Sequence, residues 1–191
     1  MPCPTRVPDP LTILVIAGSV TYPFLVYFGL PYLPPGLLVV LAVCIGGLHL
    51  LRRRGDGVLM PRWGLLAIPC VLLLLLVSRP VLAVQAYPPL VSLCLAATFA
   101  WSLARPPSAI ERIARLTSPD LPPGAIAYTR TVTKVWVAFF VANATIATIC
   151  AVWFPVAIWT LWTGLVSYLL IGALIAGELV VRRWRARQAM P

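Results

Sequence analysis

Long apolar runs separated by short polar connections are the dominant pattern of this sequence. Most of the runs are close to the roughly 20 helical residues that cross the hydrocarbon of a bilayer. They cover residues 11–30, 36–51, 63–77, 87–104, 132–154 and 155–181. Pro23 lies inside the first run, where we interpret it as a kink rather than a helix end. The pattern predicts an all-α, polytopic membrane helix bundle of about six transmembrane helices, forming a single integral membrane domain over residues 1–191.

Two features of the runs leave other topologies open. The third run is short for a span, and Pro155 divides the last apolar stretch into two. A chain with five spans, or one whose third and fourth segments form a re-entrant pair, fits the same pattern.

Basic residues fall on alternate connections between the apolar runs, and the positive-inside rule places those connections in the cytoplasm. The second connection holds Arg52, Arg53, Arg54 and Arg62. The fourth connection holds Arg105, Arg112, Arg115, Arg130 and Lys134. The tail holds Arg182, Arg183, Arg185 and Arg187. Arg79 alone falls outside. With Arg6 also inside, both termini are predicted to be cytoplasmic.

Composition narrows the class of protein further. The 191 residues are 61% hydrophobic and 10% charged, whereas soluble domains are about one quarter charged. The net charge of +10 could indicate nucleic-acid binding, but the cations flank apolar runs and no soluble basic domain remains. We therefore expect membrane lipids as partners, the anionic inner leaflet above all, and no nucleic acid.

The cysteines show no metal-binding pattern. The chain has five, none in a C-x-x-C spacing, and four of them fall within apolar runs. A thiol in such a run usually acts as a small packing residue. We predict no disulfide, no metal site and no cofactor.

The fourth connection, residues 105–131, is long enough to hold structure of its own. Ser108 and Glu111 match a capping box, which predicts a short helix over residues 109–117. The helical period places Ile110, Ile113, Ala114 and Thr117 on one side and Glu111, Arg112 and Arg115 on the other. This is typical of a helix lying in the cytoplasmic headgroup layer. A solvated linker helix is the open alternative.

A second group of candidate residues lies where the fifth run leaves the cytoplasm. Its members are Tyr128, Arg130, Thr133, Lys134 and Trp136. Aromatic rings and snorkelling cations at headgroup depth form such an interfacial belt. Asn143 needs another explanation, because it follows Thr133 and Trp136 on one helical stripe about two turns deeper. An amide in lipid is costly unless paired, so this stripe should face other helices.

The sixth run adds a third group. Glu178 and Arg182 are four residues apart and are predicted to pair at the interface, although an ionisable residue in a span is also a functional candidate. Tyr168 and Ser167 could line the bundle from the same helix. The glycines would let neighbouring helices approach closely, and they are Gly164, Gly172 and Gly177.

Catalytic motifs are missing from the sequence. It has no Gly-rich phosphate loop, no H-E-x-x-H and no G-x-S-x-G. The chain has only five carboxylates, too few to favour an active site built on paired carboxylates or on a metal ion. We assign no catalytic residue.

A set of residues in the second half of the chain, roughly residues 108–183, carries a resemblance to other proteins. They are Ile110-Glu111-Arg112, Leu121-Pro122-Pro123, Tyr128-Thr129-Arg130-Thr131-Val132-Thr133, Trp136, Phe139-Phe140, Asn143, Trp159, Gly164, Ser167-Tyr168, Gly172, Glu178 and Arg182. In this set the chain resembles a family of small bacterial inner-membrane proteins of unassigned activity. The family is associated with fatty-acid-like and aryl-polyene biosynthetic gene neighbourhoods; its members are sometimes labelled as a gyrase subunit, which this composition excludes.

The resemblance implies an accessory protein of lipid or polyene biosynthesis, non-enzymatic and placed in the bacterial inner membrane. Its loop and basic tail would contact anionic lipid, an acyl carrier or a biosynthetic enzyme. The charge would come from Arg112, Arg115, Arg130 and Lys134, with Arg183, Arg185 and Arg187 in the tail. Two alternatives stay open. One is a transporter or flippase for an amphipathic product, with Asn143, Tyr168 and Glu178 on its route; the other is a membrane-embedded transferase.

Overall fold

The computed structural model describes residues 10–52 and 62–188, and every element in them is helical. The helices are α1 (Pro10–Gly29), α2 (Pro35–Arg52), α3 (Arg62–Ser78), α4 (Pro80–Ala104), α5 (Ala109–Thr117), α6 (Pro123–Trp153), α7 (Val156–Leu161) and α8 (Ser167–Gln188). A π turn at Trp162–Val166 joins α7 to α8 without a break. The all-α expectation is confirmed for this part of the chain.

Several predicted cations lie outside this description. Arg6, Arg53 and Arg54 are not among the described residues. The same holds for five side chains within helices, those of Arg52, Arg62, Arg183, Arg185 and Arg187.

Three of the described helices are long and apolar enough to cross a membrane. They are Pro80–Ala104, Pro123–Trp153 and the continuous stretch Val156–Arg182. Shorter apolar helical stretches occur at Pro35–Cys44 and Ile68–Ser78. The fold is therefore that of a helical membrane protein.

Two helices begin before the spans that the sequence predicts within them. Helix α4 begins at Pro80, whereas its predicted span begins near residue 87, and α6 begins at Pro123, whereas its predicted span begins near residue 132. Both helices have proline in the first turn, where its missing N–H costs nothing and its fixed φ suits the helix. Residues 123–131 of the predicted loop are therefore the first turns of α6.

The prolines inside α4 leave a carbonyl that another helix uses. Pro88 has no N–H to donate to the carbonyl of Val84 four residues earlier. The Tyr22 hydroxyl of α1 donates to that carbonyl instead, at 2.9 Å. The Tyr22 and Tyr87 rings also meet edge to face, with centroids 4.9 Å apart. A proline pair that would break an isolated helix thus anchors α1 to α4.

Helices α4 and α6 run antiparallel and form the centre of the bundle. Arg130, near the start of α6, bonds to Leu103 near the end of α4. Asn143, farther along α6, bonds to Ser92, which comes earlier in α4. Buried side chains form two clusters along this axis. The larger contains Tyr22, Val26, Leu38, Val39, Ala42, Leu72, Ala83, Val84, Tyr87, Cys150 and Trp159. The smaller contains Ala96, Ile110, Val132, Trp136 and Phe140.

The two ends of the bundle differ in charge. One end, which we call the basic end, holds the end of α4, all of α5 and the start of α6, with Arg105, Arg112, Arg115, Arg130 and Lys134. The other end, called here the turn end, is made of short connections. They are residues 30–34, Arg79 alone between α3 and α4, and Phe154–Pro155 between α6 and α7.

Among the described residues, one of the three glycines of the last span packs against another helix. A Cβ built on Gly164 would lie 3.0 Å from the Phe24 ring and 3.4 Å from Pro23 Cβ of α1. A Cβ on Gly172 or Gly177 would meet no described atom within 4 Å. The expectation of close helix approach is confirmed at Gly164 and is wrong, within the described residues, at the other two.

Candidate functional site

Asn143 is the centre of a polar node that joins α4, α6 and the last span. Its Nδ2 donates to Ser92 Oγ of α4 at 3.1 Å. Its Oδ1 accepts from Trp162 Nε1 at 3.1 Å and from Ser167 Oγ at 2.7 Å. The prediction that this amide faces other helices is confirmed. All of its partners come from neighbouring helices, so the amide is a cross-link.

The π turn explains how two residues of one helix reach the same amide. Trp162 and Ser167 are five residues apart, a spacing that puts side chains on different faces of a regular α-helix. The i to i+5 pattern of a π turn brings them toward one face. The Ser167 hydroxyl also lies 2.9 Å from the Trp162 carbonyl. The extra residue in this turn is therefore what allows Asn143 both acceptor contacts.

Below the node, toward the basic end, the α6 stripe is aromatic and buried. Trp136 and Phe140 contact each other at 5.5 Å between centroids. Phe99 of α4 packs on Phe140 at 5.4 Å, edge to face. Trp136 is buried in the bundle, so its assignment to an interfacial belt is wrong. The aromatic layer separates the Asn143 node from the polar contacts of the basic end.

Helix α5 is docked on α4 and α6 through its first two backbone amides, and a capping box holds the third. The Ala109 N–H donates to Ser102 Oγ of α4 at 2.9 Å. The Ile110 N–H donates to Thr133 Oγ1 of α6 at 3.4 Å. The Glu111 N–H donates to Ser108 Oγ, and the Ser108 N–H donates back to Glu111 Oε2. The predicted capping box is present, and amides that a helix start leaves without partners are used to hold the helix in place.

Burial along α5 does not follow the apolar and polar faces that the helical period predicts. Glu111 is only 4% exposed, whereas Ile113 and Leu116 are 55% and 86% exposed. Glu111 Oε1 accepts from Arg115 at 2.8 Å, so the buried carboxylate is paired. The cause is the docking of the N-terminal amides, which turns the capping-box side of α5 inward and leaves two large apolar side chains facing out.

The other cations of the basic end hold carbonyl groups or remain exposed. Arg130 donates to the Leu103 carbonyl in the last turn of α4 at 3.2 Å, a favourable place for a cation. Arg112 Nε donates to the Pro107 carbonyl at 3.0 Å. The Arg105 guanidinium lies 4.4 Å from the centre of the Trp101 ring. Lys134 is exposed, and Tyr128 is half-buried against the smaller cluster.

Glu178 and Arg182 form the predicted ion pair on α8. Arg182 is partly exposed and Glu178 is largely covered. Tyr168, one residue after the node's Ser167, is half-buried. Tyr168 directly follows the node's Ser167 in the chain, whereas Glu178 lies about three turns farther along α8.

Among the side chains that hydrogen-bond between these helices, three escaped the sequence analysis: Ser92, Ser102 and Trp162. Each is a single polar group in an apolar run, which is the signal that identified Asn143. A polar group in a span needs a partner, but the sequence does not say which partner it finds.

The contacts of the site anchor helices to one another. The described residues include no group of three or more His, Cys, Asp or Glu side chains able to hold a metal. Glu111 and Glu178 are each paired with an arginine four residues on. A shallow groove at the basic end is lined by Pro106, Pro107, Glu111 and Arg115.

No family model, curated protein or solved structure matches the chain. The resemblance drawn from the second half of the sequence stays a prediction.

Proposed function

We propose that the protein is a non-enzymatic accessory component of a lipid or polyene biosynthesis or export system in the bacterial inner membrane. It has six spans, with both termini and the basic end in the cytoplasm. The basic end contacts the anionic inner leaflet or an acidic partner, such as an acyl carrier or a biosynthetic enzyme.

The docking of α5 is the observation that carries this proposal. Two backbone amides, those of Ala109 and Ile110, fix the helix to α4 and α6, so α5 presents a surface that is held in a fixed position. That surface combines the exposed Ile113 and Leu116 with the half-exposed Arg115. Apolar side chains beside cations, at the ends of spanning helices, suit a layer of anionic headgroups or an acidic protein lying against it.

The state of the carboxylates favours an accessory role over a transferase. Ser108 and Arg115 occupy Glu111, and Arg182 occupies Glu178. A general base needs access to a substrate proton, and a carboxylate held by arginine and a backbone amide is poorly placed for that. A transporter is also less well supported, because the Asn143 amide is hydrogen-bonded to Ser92, Trp162 and Ser167 rather than to a transported molecule.

Topology can be tested by labelling single cysteines in intact cells. In a variant without native cysteines, Phe154→Cys at the turn end is expected to react with an impermeant maleimide. Leu116→Cys at the basic end is expected to react only after the cells are opened. Both side chains are exposed, so accessibility from each side is what differs. Labelling of Leu116→Cys from outside would reverse the proposed orientation.

Contact through the basic end can be tested by photo-crosslinking from position 116 in living cells. Arg105→Glu with Lys134→Glu reverses two exposed cations that hold no described carboxylate. Each cation near an anionic surface contributes about 1 kcal/mol, so the yield of adducts with anionic lipid or acidic protein is expected to fall at least roughly tenfold. The matched control is Arg79→Glu at the turn end, with no expected change. An unchanged adduct yield in the double variant contradicts the proposal.

A further inference from the structure

Two buried nitrogen donors of the bundle have no acceptor among the described residues. They are Nε2 of Gln85 on α4 and Nε1 of Trp159 on α7. Gln85 is 3% exposed and Trp159 is fully buried. An unpaired buried donor costs roughly 1–3 kcal/mol, and in a spanning segment bulk water does not reach it. Two such groups in one bundle indicate that something accepts from them.

The backbone beside Gln85 adds an acceptor to these donors. Pro89 is part of α4 and has no N–H, so the Gln85 carbonyl lacks its usual helical donor four residues on. The neighbouring carbonyl of Val84, left by Pro88 in the same way, is bonded by the Tyr22 hydroxyl. The surroundings of Gln85 thus combine an amide donor with a carbonyl that can accept.

The register of the helices brings the two donors to the same part of the bundle. Gln85 lies two turns from Ser92 on the buried face of α4, and Trp159 lies one turn from Trp162. Ser92 and Trp162 both bond to Asn143, so α4 and the π turn that follows α7 lie against the same part of α6. Both helices start at the turn end, and helical side chains lean toward the helix start. Trp159 also belongs to the same buried cluster as Val84 and Tyr87, which flank Gln85.

We propose that Gln85 and Trp159 form a buried binding site for a hydroxyl oxygen, in the half of the bundle nearer the turn end. That oxygen accepts from Gln85 Nε2 and Trp159 Nε1, and its proton is donated to the Gln85 carbonyl. A hydroxyl group both accepts and donates, which matches the two donors and one acceptor on the protein. Its source is either an internal water molecule or the alcohol group of an amphipathic lipid. The site is independent of the function proposed above.

The first test is whether one substitution raises or lowers the melting temperature. Gln85→Met keeps the length of the side chain and removes its hydrogen bonds. If the site holds a hydroxyl oxygen, the melting temperature of the purified protein in detergent is expected to fall. If the amide is unpaired in the folded protein, removing it relieves a cost, and the melting temperature rises or stays the same. Either of those two results overturns the proposal. The control is Thr98→Val on the same helix, whose hydroxyl bonds only to the Cys94 carbonyl of its own turn.

The second test asks whether the two donors share one oxygen. The losses of Gln85→Met and Trp159→Phe should be less than additive in the double variant, and additive losses contradict a shared oxygen. The sign of the Gln85→Met shift stands as a test by itself if the tryptophan variant does not fold. Exhaustive delipidation separates the two sources. A lipid alcohol predicts that the difference between the original protein and Gln85→Met disappears on delipidation and returns with added lipid, whereas internal water predicts that it persists.

Discussion

Asn143→Leu is expected to lower the free energy of unfolding of the bundle by roughly 2–5 kcal/mol. The substitution removes three hydrogen bonds between helices and leaves Ser92, Trp162 and Ser167 without their partner. Interhelical hydrogen bonds in membrane proteins contribute about 0.6 kcal/mol on average, up to about 1.7, and groups left buried and unpaired add to the loss. Unfolding by denaturant titration in mixed micelles measures the change.

The matched control lies two residues away on the same helix. Thr145 is exposed, and its hydroxyl bonds only to the Val141 carbonyl of its own turn, so Thr145→Val should leave stability nearly unchanged. Equal stability of Asn143→Leu and Thr145→Val would refute the role of Asn143 as a cross-link. Transport lost in Asn143→Leu vesicles at unchanged stability would revive the transporter alternative.

Thr133→Val is expected to release α5 from the bundle. Valine keeps the shape of threonine but cannot accept from the Ile110 N–H. An unsatisfied buried amide costs roughly 1–3 kcal/mol, so hydrogen exchange at the α5 amides should accelerate about tenfold or more. Hydrogen–deuterium exchange with mass spectrometry of the protein in detergent resolves this segment.

The control for Thr133→Val again comes from the same helix. Thr131 is exposed, and its hydroxyl bonds to the Ala127 carbonyl of its own helix. Thr131→Val should leave the exchange of α5 as it was. If the two variants exchange alike across residues 109–117, the Thr133 hydroxyl does not hold α5 in place.

Local chemistry accounts for the parts of the structure that the sequence predicted well. The capping box of α5 and the Glu178–Arg182 pair depend on residues within one turn of each other, and both are present. The inward direction of Asn143 follows from the cost of an amide in lipid. In each case the deciding interaction is visible in a short stretch of sequence.

The remaining features depend on contacts between distant residues. The burial of Glu111 follows from docking of α5 on Ser102 and Thr133, which lie on two other helices. The helical period of α5 predicts its faces from its own sequence and contains no information on contacts with other helices. In the spanning helices apolar residues occur on all sides, because lipid is as apolar as the core. Hydropathy therefore does not reveal which face of α4 meets α6, nor that Ser92 and Trp162 meet at Asn143.

Two helices extend beyond their predicted spans for a related reason. An apolar run marks the part of a helix within lipid, whereas hydrogen bonding continues the helix beyond it. The first turns of α6 contain Tyr128 and Arg130, polar enough to resemble a loop, yet they are helical and pack on α4. Pro80 and Pro123 mark the two helix starts, since proline fits the first turn of a helix.

The turn end has a consequence for handling the molecule. Its connections are brief, with Arg79 alone joining α3 to α4 and Phe154–Pro155 joining α6 to α7. Tyr32, 86% exposed, is the most prominent side chain of the remaining connection. That surface offers few residues as epitopes for an antibody fragment. Fiducial binders for electron microscopy and affinity tags therefore belong on the opposite side.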